Sequence, residues 1–132
     1  MIDANILLDV LAKREKFYKD SSLIWLMCET GKATGYVSAL TVANIIYIMR
    51  KELDEEKIKD VLDKLFLVFK VADLTGDILS SSATLKWKDY EDAVQLVTAR
   101  KVHADCIVTR NSKDYKDSKI PVLTPAEFVR NI

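Results

Sequence analysis

Glycine and proline are scarce, three and two in 132 residues, which excludes a collagen-like or linker-dominated chain. Cysteine is as rare. Cys28 and Cys106 stand far apart without metal-type spacing and read as small buried hydrophobes in a reducing cytoplasm. The single histidine, His103, leaves little material for a His-pair or His–Cys metal cluster. No excess of one charge exists either: 20 Lys and Arg face 20 Asp and Glu. That excludes a strongly basic coat protein and confines any nucleic-acid contact to a local patch. Long apolar runs are missing. The longest, Leu40–Met49, is about half a membrane span and contains Thr41, Asn44 and Tyr47. Asp3 and Asp9 interrupt the start where a signal peptide needs a basic and then an apolar segment. The expectation is one cytoplasmic domain over 1–132, off the membrane, in which acidic residues supply the chemistry.

What is present is an alternation of helices with short β-branched runs. Residues 4–12 carry Ile6, Leu7, Val10 and Leu11 at helical spacing, and Asp9 between them reads as solvated. A second helix fits 17–30, with Gly31 as its stop. Gly35–Val37 reads as a very short strand, and Ser38 as the cap of a helix over 39–51. Asp54 caps a helix to about Leu65, Leu67–Ala72 reads as a strand, and Thr75 opens a helix to about Leu85. Asp89 begins a helix to about His103, followed by strand Cys106–Thr109, a polar turn and strand Pro121–Leu123. Thr124-Pro125 opens the last helix. Such alternation predicts an α/β fold, a parallel sheet with helices on both faces. Its ligand crevice lies beyond the carboxyl ends of the strands.

An acidic and amide set falls at those ends. Asp3 ends the first strand, Ser38 and Asn44 follow the second, and Asn111 and Asp114 follow Cys106–Thr109. Asp89, Glu91 and Asp92 open the helix before that strand. Oxygen donors of this kind suit magnesium or manganese. Carboxylates that converge also repel, raising the pKa of at least one until a cation arrives. Each member has a plainer use. Asp3, Ser38 and Asp89 are helix caps, Asp92 is an N3 acid, Asn44 a core amide, and Asn111 with Asp114 shapes a turn.

The strings D-A-N-I-L-L-D at Asp3–Asp9, V-S-A-L-T-V-A-N-I at Val37–Ile45, D-Y-E-D-A at Asp89–Ala93 and A-D-C-I-V-T-R-N-S-K-D-Y at Ala104–Tyr115 together resemble the PIN domain. The branch of VapC-like toxin ribonucleases is the most similar. The resemblance spans essentially the whole chain, in the expected order. It implies a PIN-like α/β/α sandwich with a short-stranded parallel sheet, an acidic pocket for Mg2+ or Mn2+, and cleavage of single-stranded RNA. It further implies a protein antitoxin as partner and a homodimer built on the first helices. Carried over, Asp3, Asp92 and Asp114 are the catalytic and metal-holding acids, with Asn111 a further ligand. Asn44, Ser38, Asp89 and Glu91 assist.

Two departures stand out. Asn44 and Asn111 occupy places where the family usually has carboxylates, so they supply neutral carbonyls and less charge to balance a cation. Only Met1 and Ile2 precede Asp3, so the first, central strand is expected to be truncated and to leave unpaired neighbours. A start assigned too late, or a partner supplying the strand, would account for it; the first is favoured. Arg110 and Lys113, with Lys86 and Lys88 before Asp89, are placed to hold RNA phosphates. The expected function is a metal-dependent endoribonuclease, the toxin of a toxin–antitoxin pair. The alternative is a catalytically weak PIN-fold module that binds RNA or a protein.

Overall fold

The computed structural model describes residues 1–115 and 118–131. In chain order these form α1 (Ala4–Leu11), α2 (Glu15–Glu29), β1 (Tyr36–Ser38), α3 (Ala39–Met49), α4 (Glu55–Val68) and β2 (Lys70–Ala72). Then follow α5 (Gly76–Thr84), α6 (Tyr90–Lys101), β3 (Ile107–Val108), a 3-10 turn at Ser112–Asp114, β4 (Val122–Leu123) and α7 (Pro125–Arg130). β1 pairs in parallel with β2, and β3 in parallel with β4. Residues 1–3 join the two pairs. The Ile2 N–H donates to Tyr36 O, Val108 N–H to Met1 O, and Asp3 N–H to Val108 O, with a parallel bridge between Ile2 and Val108. Residues 1–3 thus take the central place and hydrogen-bond on both sides, where unpaired neighbours were expected.

Alternation along these strands divides the interior in two. Ile2, Val37, Val71 and Val108 face a core filled by Ile6 and Leu7 of α1, Ile24 of α2, Ile45 of α3 and Leu65 of α4. Met1, Tyr36, Ala72, Ile107 and Val122 face the other way, against Leu96 and Ala99 of α6 and Tyr115. The result is a three-layer α/β/α sandwich, as the alternation predicts. Ile6, Leu7, Val37, Ile45 and Leu65 are almost completely buried, and each such side chain stabilises the fold by about 1.5–3 kcal/mol.

Helix starts follow the capping chemistry read from the sequence: Asp3, Ser38, Asp54, Thr75, Asp89 and Thr124 each accept from a backbone N–H. Most element ends differ by one or two residues (β1 is Tyr36–Ser38, α3 stops at Met49 and β3 is only Ile107–Val108), and two differences are structural. The second helix begins at Glu15, and α4 runs on to Val68, so the strand after it shrinks to Lys70–Ala72. Leu67 bears the cost. Continuing the helix leaves it 86% exposed, a local cost accepted because Leu65 and Phe69 then reach the core. With few glycines, left-handed positions after helices fall to Lys13, Lys86 and His103.

Gly35 is required by packing. A Cβ there would lie 2.6 Å from Cys28 Sγ and 2.7 Å from a ring carbon of Phe69. Gly35→Ala is expected to lower stability by about 1–3 kcal/mol, seen as a fall in Tm. Gly76→Ala, at the open first position of α5 where nothing lies within 4 Å, is the neutral control; equal melts for the two would disprove the packing argument.

Candidate functional site: a carboxylate cleft at the strand ends

Asp3 leaves the central strand and caps α1, with Oδ1 accepting the Ala4 N–H at 2.8 Å. Its Oδ2 accepts from Thr109 Oγ1 at 2.7 Å and from the Tyr115 phenol at 3.4 Å. The same phenol also lies close to the Asp92 carboxylate, so one hydroxyl sits between the two acids. Asp92 lies in the first turn of α6, where its own N–H donates to the Asp89 cap at 3.2 Å. Desolvation, then the negative charges of Asp89, Asp3 and Asp114, push the Asp92 carboxyl up to about 7, opposed only by the Tyr115 hydrogen bond. Burial and the same carboxylates raise the Tyr115 phenol, which keeps it a proton donor.

Asp89, Glu91 and Asp114 line an open cleft of about 1080 Å³ together with Trp87, Lys88, Tyr90 and Lys113. Asp3, Asp92, Asp89 and Asp114 therefore share one electrostatic field. Among the described residues, no three carboxylate, imidazole or thiol side chains close tightly enough to clasp a bare ion. An all-oxygen donor set with uncompensated negative charge fits a magnesium- or manganese-type cation, which retains several of its own waters.

Ser38, Asn44 and Asn111 are not among the residues that line this cleft. Ser38 is sealed inside, donating to Thr41 Oγ1, which in turn donates to Gln95 Oε1, while Gln95 Nε2 donates to Ile2 O. This buried chain braces the strand that carries Asp3, and it keeps Ser38 out of the cleft. Asn44 is half-buried, one turn beyond Thr41 on α3. Asn111 lines a neighbouring cavity of about 370 Å³ with Arg110, Phe17, Lys16 and Asp20.

Asp9 and Arg110 correct the sequence reading. Asp9 is fully buried rather than solvated. Its carboxylate accepts from Arg110 Nε at 3.0 Å, Arg110 Nη2 at 3.2 Å and Ser21 Oγ at 3.0 Å, with Arg14 at 3.6 Å. The Arg110 guanidinium lies 3.8 Å from the Phe17 ring centroid. It is already neutralised and stacked, not free as expected; Lys88 and Lys113 line the cleft instead.

The sequence reading gave no role to Asn5, Gln95, Thr109 or Tyr115. Asn5 Nδ2 donates to Thr109 Oγ1 at 3.3 Å, and Asn5 Oδ1 accepts the Arg110 N–H at 3.3 Å, which pins the turn after β3 to α1. Asn5, Thr109 and Tyr115 do stand in the quoted motif strings, and a hydroxyl-bearing aromatic directly after Asp114 was the available signal.

The PIN domain family model matches residues 1–113. Among solved structures, a toxin–antitoxin complex from Klebsiella pneumoniae is similar with a TM-score of 0.69 and 25% identity, over 94% of this chain and 95% of that one. FitAB bound to an IR36 DNA fragment is similar in fold, with a TM-score of 0.71 and 18% identity over 94% and 93%. No match is found among curated proteins. A family match over most of the length, on a fold that gathers Asp3, Asp92 and Asp114 at the strand ends, leads to one conclusion: this chain belongs to the PIN domain family.

Proposed function

We propose that the protein is a Mg2+- or Mn2+-dependent endoribonuclease that cuts single-stranded RNA, and that it is the toxin of a toxin–antitoxin pair. The observation that carries this reading is the gathering of Asp3, Asp92, Asp89 and Asp114 within one another's electrostatic reach, the last two on an open cleft. That is a concentration of negative charge in want of a cation, at the open end of a parallel sheet.

Asp3, Asp92 and Asp114 would hold the ion, with the Asn111 carbonyl as a neutral helper and Asp89 and Glu91 at the rim. When bound, a divalent cation supplies an activated water for in-line attack on phosphorus and charge stabilisation for the leaving oxygen. The chain's own residues do the rest. Lys88 and Lys113 stand where phosphates flanking the cut would lie, and Trp87 and Tyr90 present rings to bases in the same cleft. Thr109 and Tyr115 orient Asp3 by hydrogen bonds.

An antitoxin would cover this cleft, a basic side chain meeting the acids; the similar Klebsiella structure is a toxin–antitoxin complex. Exposed Tyr18, Leu23 and Leu26 on α2 support self-association through the first helices. No described helix is long and apolar enough to cross a membrane.

The test is cleavage of end-labelled single-stranded RNA. Cutting is expected to depend on added magnesium or manganese, to stop with a chelator and to return when the ion is restored. A second reading, a module that binds RNA or a protein without cutting, is favoured by the amides at Asn44 and Asn111. RNA retention without cleavage at millimolar manganese would select it and reject the enzyme.

A further inference from the structure

A second cavity, of about 370 Å³, adjoins the turn that follows β3, with Lys16, Phe17, Asp20, Arg110, Asn111 and Pro125 in its walls. Further along, the same turn carries Lys113 and Asp114 on the carboxylate cleft. The Asn111 N–H donates to Thr109 Oγ1 at 3.1 Å, and that hydroxyl donates to Asp3 at 2.7 Å. The cavity is thus two hydrogen bonds from the acids, within reach of a nucleotide next to one in the cleft. Its volume, near the lower end of the range for small-ligand sites, about 300–1,000 Å³, admits one base. Arg110 gives two of its five N–H donors to Asp9, from Nε at 3.0 Å and Nη2 at 3.2 Å, and its guanidinium rests on the Phe17 ring at 3.8 Å. Three donors remain without a partner among the described residues, on a group held still. Asp20, half-buried on α2, forms no ion pair among the described residues, and an ionised carboxylate only accepts.

Fixed donors beside a fixed acceptor select among bases. Guanine alone presents two adjacent donors, N1–H and the N2 amino group, with the acceptors O6 and N7 next to them; adenine, cytosine and uracil each offer a donor on one atom only. We infer that this cavity is a subsite for a guanine base of the RNA, with Asp20 accepting from N1–H and the N2 amino group and Arg110 donating to O6 or N7, so that the protein selects cut sites beside a guanosine. The inference rests on the RNA-cutting reading above and deepens it. Because Asp9 already matches the Arg110 charge, a neutral base with acceptors on its edge suits this guanidinium better than a phosphate does. Exposed Lys16, its Nζ 5.4 Å from the Phe17 ring centroid, supplies the cation for the phosphate of that nucleotide.

The experiment titrates GMP, AMP, CMP and UMP, which share one phosphate, into the full chain without divalent ions and follows the backbone amide shifts by NMR. GMP is expected to bind at least about fivefold more tightly than the other three, the lower bound for one bidentate pair, with shifts at Phe17, Asp20 and Asn111. Asp20→Asn, which exchanges an acceptor for a donor, should bring GMP to within about twofold of AMP. Cut sites mapped on random single-stranded RNA with manganese should carry guanosine at one fixed position in the wild type and at none in Asp20→Asn. If Asp20→Asn does not fold, the comparison of the four nucleotides decides. Nucleotides bound alike, or not bound at all, overturn the subsite, and RNA cut without base preference then leaves the nuclease reading standing. N-acetylarginine amide bound more tightly than GMP also overturns it, in favour of a peptide side chain against Asp20. A preference for GMP in a protein that cuts no RNA keeps the subsite and removes the nuclease.

Discussion

Asp9→Ala is expected to cost about 3 kcal/mol of folding stability, a fall in Tm on the order of 10 °C. Asp9 is wholly buried and answers Arg110 through two hydrogen bonds, Ser21 through one and Arg14 at longer range. Alanine would leave the Arg110 guanidinium, 23% exposed, without its counter-charge, and Ser21 without its acceptor. Breaking one half of a buried pair costs about 3–5 kcal/mol; the partial exposure of Arg110 puts the estimate at the lower end. Replacing both partners by apolar residues, Asp9→Leu with Arg110→Met, should recover most of the loss. Chemical denaturation of the two single variants and the double variant measures the coupling. A single-variant loss below about 1 kcal/mol would mean that the pair is held but contributes little. The same latch bears on the site, because Arg110 and Asn5 together fix the turn that presents Thr109 to Asp3.

Asp92→Asn should move activity and stability in opposite directions. Removing this carboxylate takes away a proposed ligand, and RNA cleavage should fall by at least about a hundredfold, more than loss of an outer hydrogen-bonding partner of a metal ligand typically costs. Stability should rise. The Asp92 carboxyl stands at about 7 in the fold against an ordinary 3.8, so the folded chain holds its proton more tightly than the unfolded chain. As pH climbs between those values the unfolded state ionises first and the fold loses stability; above about 7 the whole penalty is present. Asparagine removes it. Without divalent ions, Asp92→Asn should therefore melt above wild type at pH 8 and converge with it near pH 4. Added magnesium should raise the wild-type melt at pH 8 far more than the variant's. Undiminished cleavage, or identical melts at pH 8 without metal, would contradict the role assigned to Asp92.

Local chemistry was legible in the chain. Cap residues named every helix start but that of α2, and the run of helices separated by short β-branched stretches named a parallel sheet with helices on both faces. The acids at the strand ends were legible for the same reason: in a parallel sheet, position along the chain places a residue at one edge. Misreadings arose where the deciding partner is remote in sequence. Leu67–Val68 has the composition of a strand, yet the core takes Leu65 and Phe69 at helical spacing and carries the helix through Val68. Asp9 looked solvated because its partner Arg110 lies 101 residues away, and no periodicity announces such a pair.

The sequence alone determined which elements form, in what order, and which carboxylates lie at the sheet's edge, because capping, alternation and turn chemistry act over a few residues. Only the tertiary structure decided which hydroxyls and cations serve those carboxylates. Arg110 turned inward to Asp9, Ser38 was sealed behind Thr41 and Gln95, and Thr109 and Tyr115 came to share one oxygen of Asp3. Buried polar groups must find partners wherever packing puts them, and packing joins residues a hundred positions apart.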